Sequence, residues 1–303
     1  MKIEAIDIFN ELVRSGSIRQ AAEGLNTSPT AVVRQLDKLE HSFGTPLVER
    51  TPRGIRLTAA GEVLAASTSR VAQELKTAHQ LIDDYKGLRR GRVAIHTNGA
   101  AASAILAPAL SEFSRSHPEI SMEVNVSSAQ GALDAVAEGR SQFSVTMFAP
   151  KDPRVEVLFR APVYHEPIMS PDHPLAARVE LSMADLIRHR LALPNRSFGM
   201  RRAFDARLHD LGLPTEDYTF TTPSLEMQIE LALRCSAILI LPRMTVARWL
   251  DMGQFVCRPF VKSEKIISWL ELSHANSRTQ SIAARRFRDF LMGFLGRRLS
   301  VAE

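Results

Sequence analysis

Four arginines near the N-terminus, Arg34, Arg50, Arg53 and Arg56, are the residues of this chain best suited to chemistry with an anion. A guanidinium forks onto the O6 and N7 of guanine, grips a phosphate, or enters a narrow minor groove whose negative potential attracts it. Arg50, Arg53 and Arg56 fall within seven residues, offset only by Glu49. Arg34 stands beside Val33, and a valine next to an arginine suits a major groove, where the valine meets a thymine methyl. The ordinary alternative is a hairpin edge kept soluble by its charges. Total charge decides little, because 38 Lys and Arg against 33 Asp and Glu leave only +5 over 303 residues. Residues 1–58 hold eight Lys or Arg against seven Asp or Glu. The electrostatic argument rests on where the arginines stand, not on their number.

A second set of polar residues lies where strands end and helices begin. Thr97 and Asn98 precede a helix start at Gly99, and Ser127 and Ser128 precede another. Thr146 ends a strand-like run; Ser197, Phe198 and Met200 follow another, and Thr222 and Ser224 precede a helix. Unpaired N–H groups at helix starts favour a carboxylate or phosphate, so a small anionic ligand is the chemistry these positions suit. Many such hydroxyls serve only as caps. Arg201 and Arg202 stand at a helix start and offer an anion clamp, with plain solvation the commoner role. No catalytic arrangement is visible. Nine histidines are scattered without HExxH spacing, and there is no G-x-S-x-G elbow and no phosphate loop. Cys235 and Cys257 belong to no CxxC or His-rich cluster, so neither metal nor cofactor is expected, and both read as buried, reduced thiols.

The elements that must position these residues are legible in part. Ser17 and Gln20 form a capping-box pattern, and Ala21, Ala22 and Leu25 give a small apolar face. Ser28 suits an N-cap and Pro29 the first helical position. Val32, Leu36 and Leu39 then face inward, leaving Thr30, Val33, Arg34, Asp37 and Lys38 outside. Leu47–Arg50 and Ile55–Leu57 read as a hairpin around Thr51-Pro52-Arg53-Gly54. Leu64, Thr68, Val71, Leu75, Ala78, Ile82 and Tyr85 alternate by four and three, a heptad seam on one long helix that predicts dimerisation. From Arg92 onward strands alternate with helices, which implies a parallel sheet with right-handed crossovers.

The N-terminal pattern resembles the winged helix-turn-helix of LysR-type transcriptional regulators. The resemblance is carried by Phe9, Gly16, Ser17, Ala21, Ala22, Leu25, Leu39, Glu40, Gly44, Leu47, Arg50, Leu57, Thr58 and Gly61. It differs where bases would be read: Pro29-Thr30 replaces the usual Gln-Pro, and Val33 the usual Ser. Weaker anchors, His117-Pro118, His173-Pro174-Leu175 and Leu241-Pro242, extend it through the rest of the chain. The resemblance implies a mixed fold. An all-α winged helix-turn-helix domain (1–58) and a linker and dimerisation helix (59–90) precede an α/β effector domain (91–303) like the two-lobed periplasmic binding proteins. Lobe I spans 91–161 and 266–303, and lobe II spans 162–265.

It also implies that Pro29, Thr30, Val33, Arg34, Lys38, Arg50 and Arg53 meet double-stranded DNA. Thr97, Asn98, Ser128 and Phe198 gain weight as effector contacts. The expected partners are DNA, a small-molecule effector, RNA polymerase and further copies, a homodimer assembling to a homotetramer. The N-terminal MKIEAIDIFNELV is an amphipathic helix rather than a leader, and the uncharged run 93–111 contains His96, Asn98, Gly99 and Pro108, so a cytoplasmic protein outside the membrane is expected. Two other classes are a solute-binding protein and an enzyme fused to a DNA-binding unit. The N-terminal unit opposes the first, and the want of a nucleophile–base pair or metal cluster opposes the second.

Overall fold

The structure, a computed structural model, describes residues 3–52, 54–85, 91–215, 218–276 and 279–299. It divides into an N-terminal and a C-terminal unit. The first holds α1 (Ile3–Ser15), α2 (Ile18–Gly24), α3 (Pro29–Phe43), β1 (Val48–Thr51), β2 (Gly54–Leu57) and α4 (Ala59–Tyr85). Phe9, Leu12, Ala21, Ala22, Val32, Leu36, Leu39 and Leu47 form its core. Ser28 opens α3 with extended backbone; its hydroxyl accepts the Ala31 N–H at 3.2 Å, and Pro29 follows at the start. Gly44, left-handed at φ +65, closes that helix. Ser17 occupies the N-cap of α2, but its side chain makes no cap bond, so the expected box with Gln20 does not form. The Ser15 hydroxyl donates to the Ser17 carbonyl at 3.1 Å and holds that turn instead.

Gly54 shows why this unit is so tightly specified. Its φ is +133, and a Cβ there would stand 2.3 Å from the Gly16 carbonyl oxygen. That same oxygen accepts the Ile55 N–H at 2.9 Å, so the hairpin is buttressed on the α1–α2 turn. Gly54→Ala should cost about 1–3 kcal/mol of stability, read as a lower Tm. An unchanged Tm would show that the turn yields freely.

The helix α4 runs 27 residues, about 40 Å at 1.5 Å per residue. Its seam is split. Leu64, expected at a dimer interface, is buried in the core of its own unit. Thr68 is also buried, its hydroxyl donating to Asn10 Oδ1 at 2.7 Å. The first turns of α4 lie against α1 and complete the small three-helix core. Farther along, Val71 is 42% and Ile82 51% exposed, with Ala78 exposed and Leu75 half-buried between them. The side chain of Tyr85 and the expected helix end at residues 86–90 lie outside the described residues.

The C-terminal unit begins with β3 (Gly91–Thr97), then α5 (Gly99–Ala101), which passes through a π turn (Ala102–Leu106) into α6 (Ala107–Ser116). Next come β4 (Ile120–Val126), α7 (Ala129–Ala137) and β5 (Phe143–Met147). β3 pairs in parallel with β4 and β5, the expected βαβαβ arrangement. β6 (Val155–Met169) leads to α8 (Met183–Leu186), β7 (Ala192–Leu193), α9 (Gly199–Asp210), β8 (Phe220–Thr221) and α10 (Leu225–Cys235). β9 (Leu239–Leu241), α11 (Ala247–Asp251), β10 (Val256–Cys257), β11 (Ile266–Ala275) and α12 (Ile282–Leu299) complete it. The main sheet runs β10-β6-β11-β5-β3-β4, with β9 also on β6.

Two strands tie the unit together. β6 and β11 pair antiparallel from His165↔Ile266 to Val155↔Ala275. Their first halves and second halves serve different cores: one around Val93, Phe113, Phe143 and Phe287, the other around Leu191, Phe204, Leu208 and Ile240. The molecule is therefore two-lobed here, with β6 and β11 as the crossing. β6 absorbs Pro162 within it, opposite Trp269.

Candidate functional site

The outer face of α3 is built by its own sequence. With Val32, Leu36 and Leu39 inward, Thr30, Arg34, Asp37 and Lys38 are exposed and Val33 is half-buried beside them. Pro29 is exposed at the helix start, and the Thr30 hydroxyl stands 2.9 Å from that of Ser28. Among the described residues neither Arg34 nor Lys38 is taken up in an ion pair. The hairpin is fixed to the end of the same helix: Glu40 Oε1 accepts the Leu47 N–H at 2.7 Å and the Val48 N–H at 3.2 Å. In its register Arg50 stands opposite Ile55, and Glu49 opposite Arg56. Arg56 pairs with Glu49 at 3.2 Å, so Arg50 is the freer cation of the two. Arg53, expected at the hairpin tip, lies outside the described residues.

A cleft of about 360 Å³ lies between the two lobes. Four helix starts converge on it: Gly99 and Ala100 of α5, Ser128 to Gln130 at α7, Phe198 to Met200 at α9, and Pro223 and Leu225 at α10. The first N–H groups of each helix have no partner within the helix and carry partial positive charge. Arg202 adds a full positive charge, and among the described residues no Asp or Glu lines the cleft. Met147, Phe148, Met200, Leu225 and Leu241 give the wall an apolar part. The cleft therefore suits a small anion with an apolar body.

Of the eight expected ligand contacts, Asn98, Ser128, Ser197 and Phe198 line this cleft. The other four do not. The Thr97 hydroxyl is buried and donates to the Val145 carbonyl at 2.7 Å. Ser127 turns its hydroxyl to the Ser128 carbonyl at 3.2 Å. Thr146 is buried in the sheet, since alternation gives the cleft Met147 instead. Thr222 accepts the Ser224 N–H at 3.2 Å, a turn contact. Asn98 is itself half-committed, its amide bridging to the Met147 carbonyl at 2.8 Å and N–H at 3.3 Å. Ser128 also caps α7 through the Gly131 N–H at 3.1 Å.

Residues 3–62 match the bacterial regulatory helix-turn-helix protein, lysR family, and residues 86–295 match the LysR substrate binding domain. The chain belongs to the LysR family. It is a LysR-type transcriptional regulator with a helix-turn-helix DNA-binding domain and an effector-binding domain. A probable RuBisCO transcriptional regulator of Cyanidioschyzon merolae is 27% identical over 232 residues, 76% of this chain and 74% of that protein. The regulator CbbR of Xanthobacter flavus is 31% identical over 204 residues, 66% of this chain and 60% of that one. Among solved structures, full-length OxyR of Pseudomonas aeruginosa shares the fold with a TM-score of 0.71 at 17% identity, over 98% of this chain and 95% of that chain. Full-length CbnR in complex with its target DNA gives 0.70 at 18%, over 97% and 100%. Among the described residues no helix of this LysR protein is long and apolar enough to cross a membrane, and no three His, Cys, Asp or Glu gather as a metal site.

Several features of this LysR cleft were not legible beforehand. Gln228 and His165 line it from mid-helix and mid-strand, placed by long-range packing. Arg201 is not an anion clamp: it is buried, donates to both Asp205 oxygens at 2.8 and 3.0 Å, and lies over the Tyr218 ring. Arg202 is the cation that faces the cleft, its guanidinium donating to the Ser197 carbonyl at 2.6 Å. Cys257 is half-buried rather than buried, and donates to Glu166 Oε2 at 3.0 Å. Burial and that carboxylate push its ionisation well up, so it stays a thiol and not a nucleophile. The side chain of Cys235 lies outside the described residues.

The lobes pack tightly at Gly199, where an added Cβ would stand 2.2 Å from the Phe148 Cβ. Gly199→Ala should cost about 1–3 kcal/mol by overpacking, a fall of roughly 2–12 °C in Tm. It should also widen the cleft. A Tm equal to wild type would contradict this contact.

Proposed function

We propose that this regulator reads DNA with the outer face of α3 and the hairpin, and that a small anionic effector in the cleft controls that reading. The proposed DNA contacts are Pro29, Thr30, Val33, Arg34 and Lys38 from the helix, with Arg50 and Arg53 from the hairpin. Asn98, Ser128, Ser197 and Phe198 are the proposed effector contacts, joined by Arg202 and Gln228. Dimers form along α4 through Val71, Leu75, Ala78 and Ile82, and effector domains of two dimers associate into a tetramer. The effector favours one arrangement of the four DNA-binding units, which changes DNA bending and the recruitment of RNA polymerase in the cytoplasm. It acts only if it binds the two arrangements with different affinity. The reading involves no catalysis.

The observation that carries the effector class is the meeting of four helix starts and Arg202 in a cleft without a carboxylate. Thermal-shift screening of carboxylic acids against their neutral amides tests it. At 100 times its Kd an acid adds about 2.7 kcal/mol, a rise of roughly 5–11 °C. Amides that stabilise as well as their acids would sink the anion reading.

A further inference from the structure

Phe148 follows β5 with φ +58, a left-handed backbone that bulky side chains rarely adopt. It packs against the cores of both lobes and meets α9 at Gly199. Its ring lies 4.7 Å, centroid to centroid, from the imidazole of His165. His165 stands on β6 at the crossing between lobes and is only 3% exposed. Its Nε2 pairs with the Ser268 hydroxyl of β11 at 2.8 Å. Its Nδ1 is buried with no hydrogen-bond partner among the described residues. Burial keeps the ring neutral, pulling its pKa down to about 3. A buried ring nitrogen without a partner is unfavourable, and so is a strained backbone; both cluster at functional sites. Here they share one place on the cleft wall.

From this juxtaposition we infer that Phe148 is a gate over His165, and that His165 Nδ1 is the specificity-determining polar contact at the bottom of the cleft. A ligand carrying a carboxylate and an apolar ring takes the volume of the Phe148 ring and accepts a hydrogen bond from Nδ1–H. This requires the tautomer in which the Ser268 hydroxyl donates to Nε2, leaving the ring proton on Nδ1. Helix starts draw the anion in; His165 fixes its orientation. This rests on the reading of the cleft as the effector site.

The test uses the full-length protein and diethylpyrocarbonate, which acylates accessible imidazoles, with peptide mass spectrometry as readout. In wild type His165 should react at least about tenfold more slowly than exposed His41 and His209. In Phe148→Gly, which suits the left-handed backbone, it should react within about threefold of them. Phe148→Asn, also tolerant of that backbone, gives a second variant. Phenylacetate is the ligand probe: it should raise the Tm of Phe148→Gly and slow labelling of His165. The rise should vanish with His165→Leu added and return in part with His165→Asn, whose amide nitrogen stands near the place of Nδ1. Equal labelling in wild type and both Phe148 variants overturns the gate. A phenylacetate effect that survives His165→Leu, or none in Phe148→Gly, overturns the polar contact. Labelling needs no ligand, so failure of the gate is distinct from failure of the cleft reading, which would appear as no acid stabilising wild type.

Discussion

A protein carrying Val71→Lys and Ile82→Lys should lose the α4 dimer and roughly 10²–10⁴-fold in affinity for a two-half-site duplex. The argument starts from two apolar side chains, 42% and 51% exposed on one helix, with Ala78 and Leu75 on the stripe between them. A long helix with an exposed apolar stripe is stable when a second copy covers it. Two DNA-binding units held together read two half-sites in one event, and the second contact is made at high effective concentration. Four new positive charges across a two-fold seam repel. The variant should remain folded, because neither position belongs to the core of its own unit. Sedimentation velocity should show the assembly mass halved. An unchanged mass would remove α4 from the interface.

Arg34→Ala should cost about 1–3 kcal/mol on a cognate duplex and relax specificity at one base pair. Arg34 is exposed, on the same helix face as Val33 and Lys38, and is taken up in no ion pair among the described residues. A guanidinium so placed can fork onto a guanine edge. Lys38→Ala should behave differently: a uniform loss across sequences and a salt slope shallower by about one. Fluorescence anisotropy against the cognate duplex and its single-base variants, at several salt concentrations, separates the two. Equal loss for Arg34→Ala on every sequence would assign it to phosphate alone.

The α3 face was legible because every cause of it is local. Ser28, Pro29 and Gly44 set where the helix begins and ends, and a 3.6-residue period sets which side is buried. The cleft was legible only by half. A hydroxyl at a strand end points into a cleft or into the sheet according to one residue of register, which is why Thr146 and Thr97 are spent inside while Met147 and Asn98 face the cleft. His165 and Gln228 were invisible because their positions depend on β6 pairing with β11 some hundred residues away, and on α10 packing against β7 and β9. The seam was overextended for a similar reason. Its heptad is real in sequence, but Leu64 and Thr68 meet α1 first.

Control of DNA occupancy by the cleft is the central proposal for this regulator. It is tested most directly by footprinting the full-length protein on the DNA upstream of its own gene, with and without the acid that most raises its Tm. The acid should change the length or phasing of the protected region while the protein stays bound. In Gly199→Ala, where the cleft is wedged, the change should be diminished. A footprint identical with and without the acid, at concentrations that saturate the Tm shift, would contradict control by the cleft.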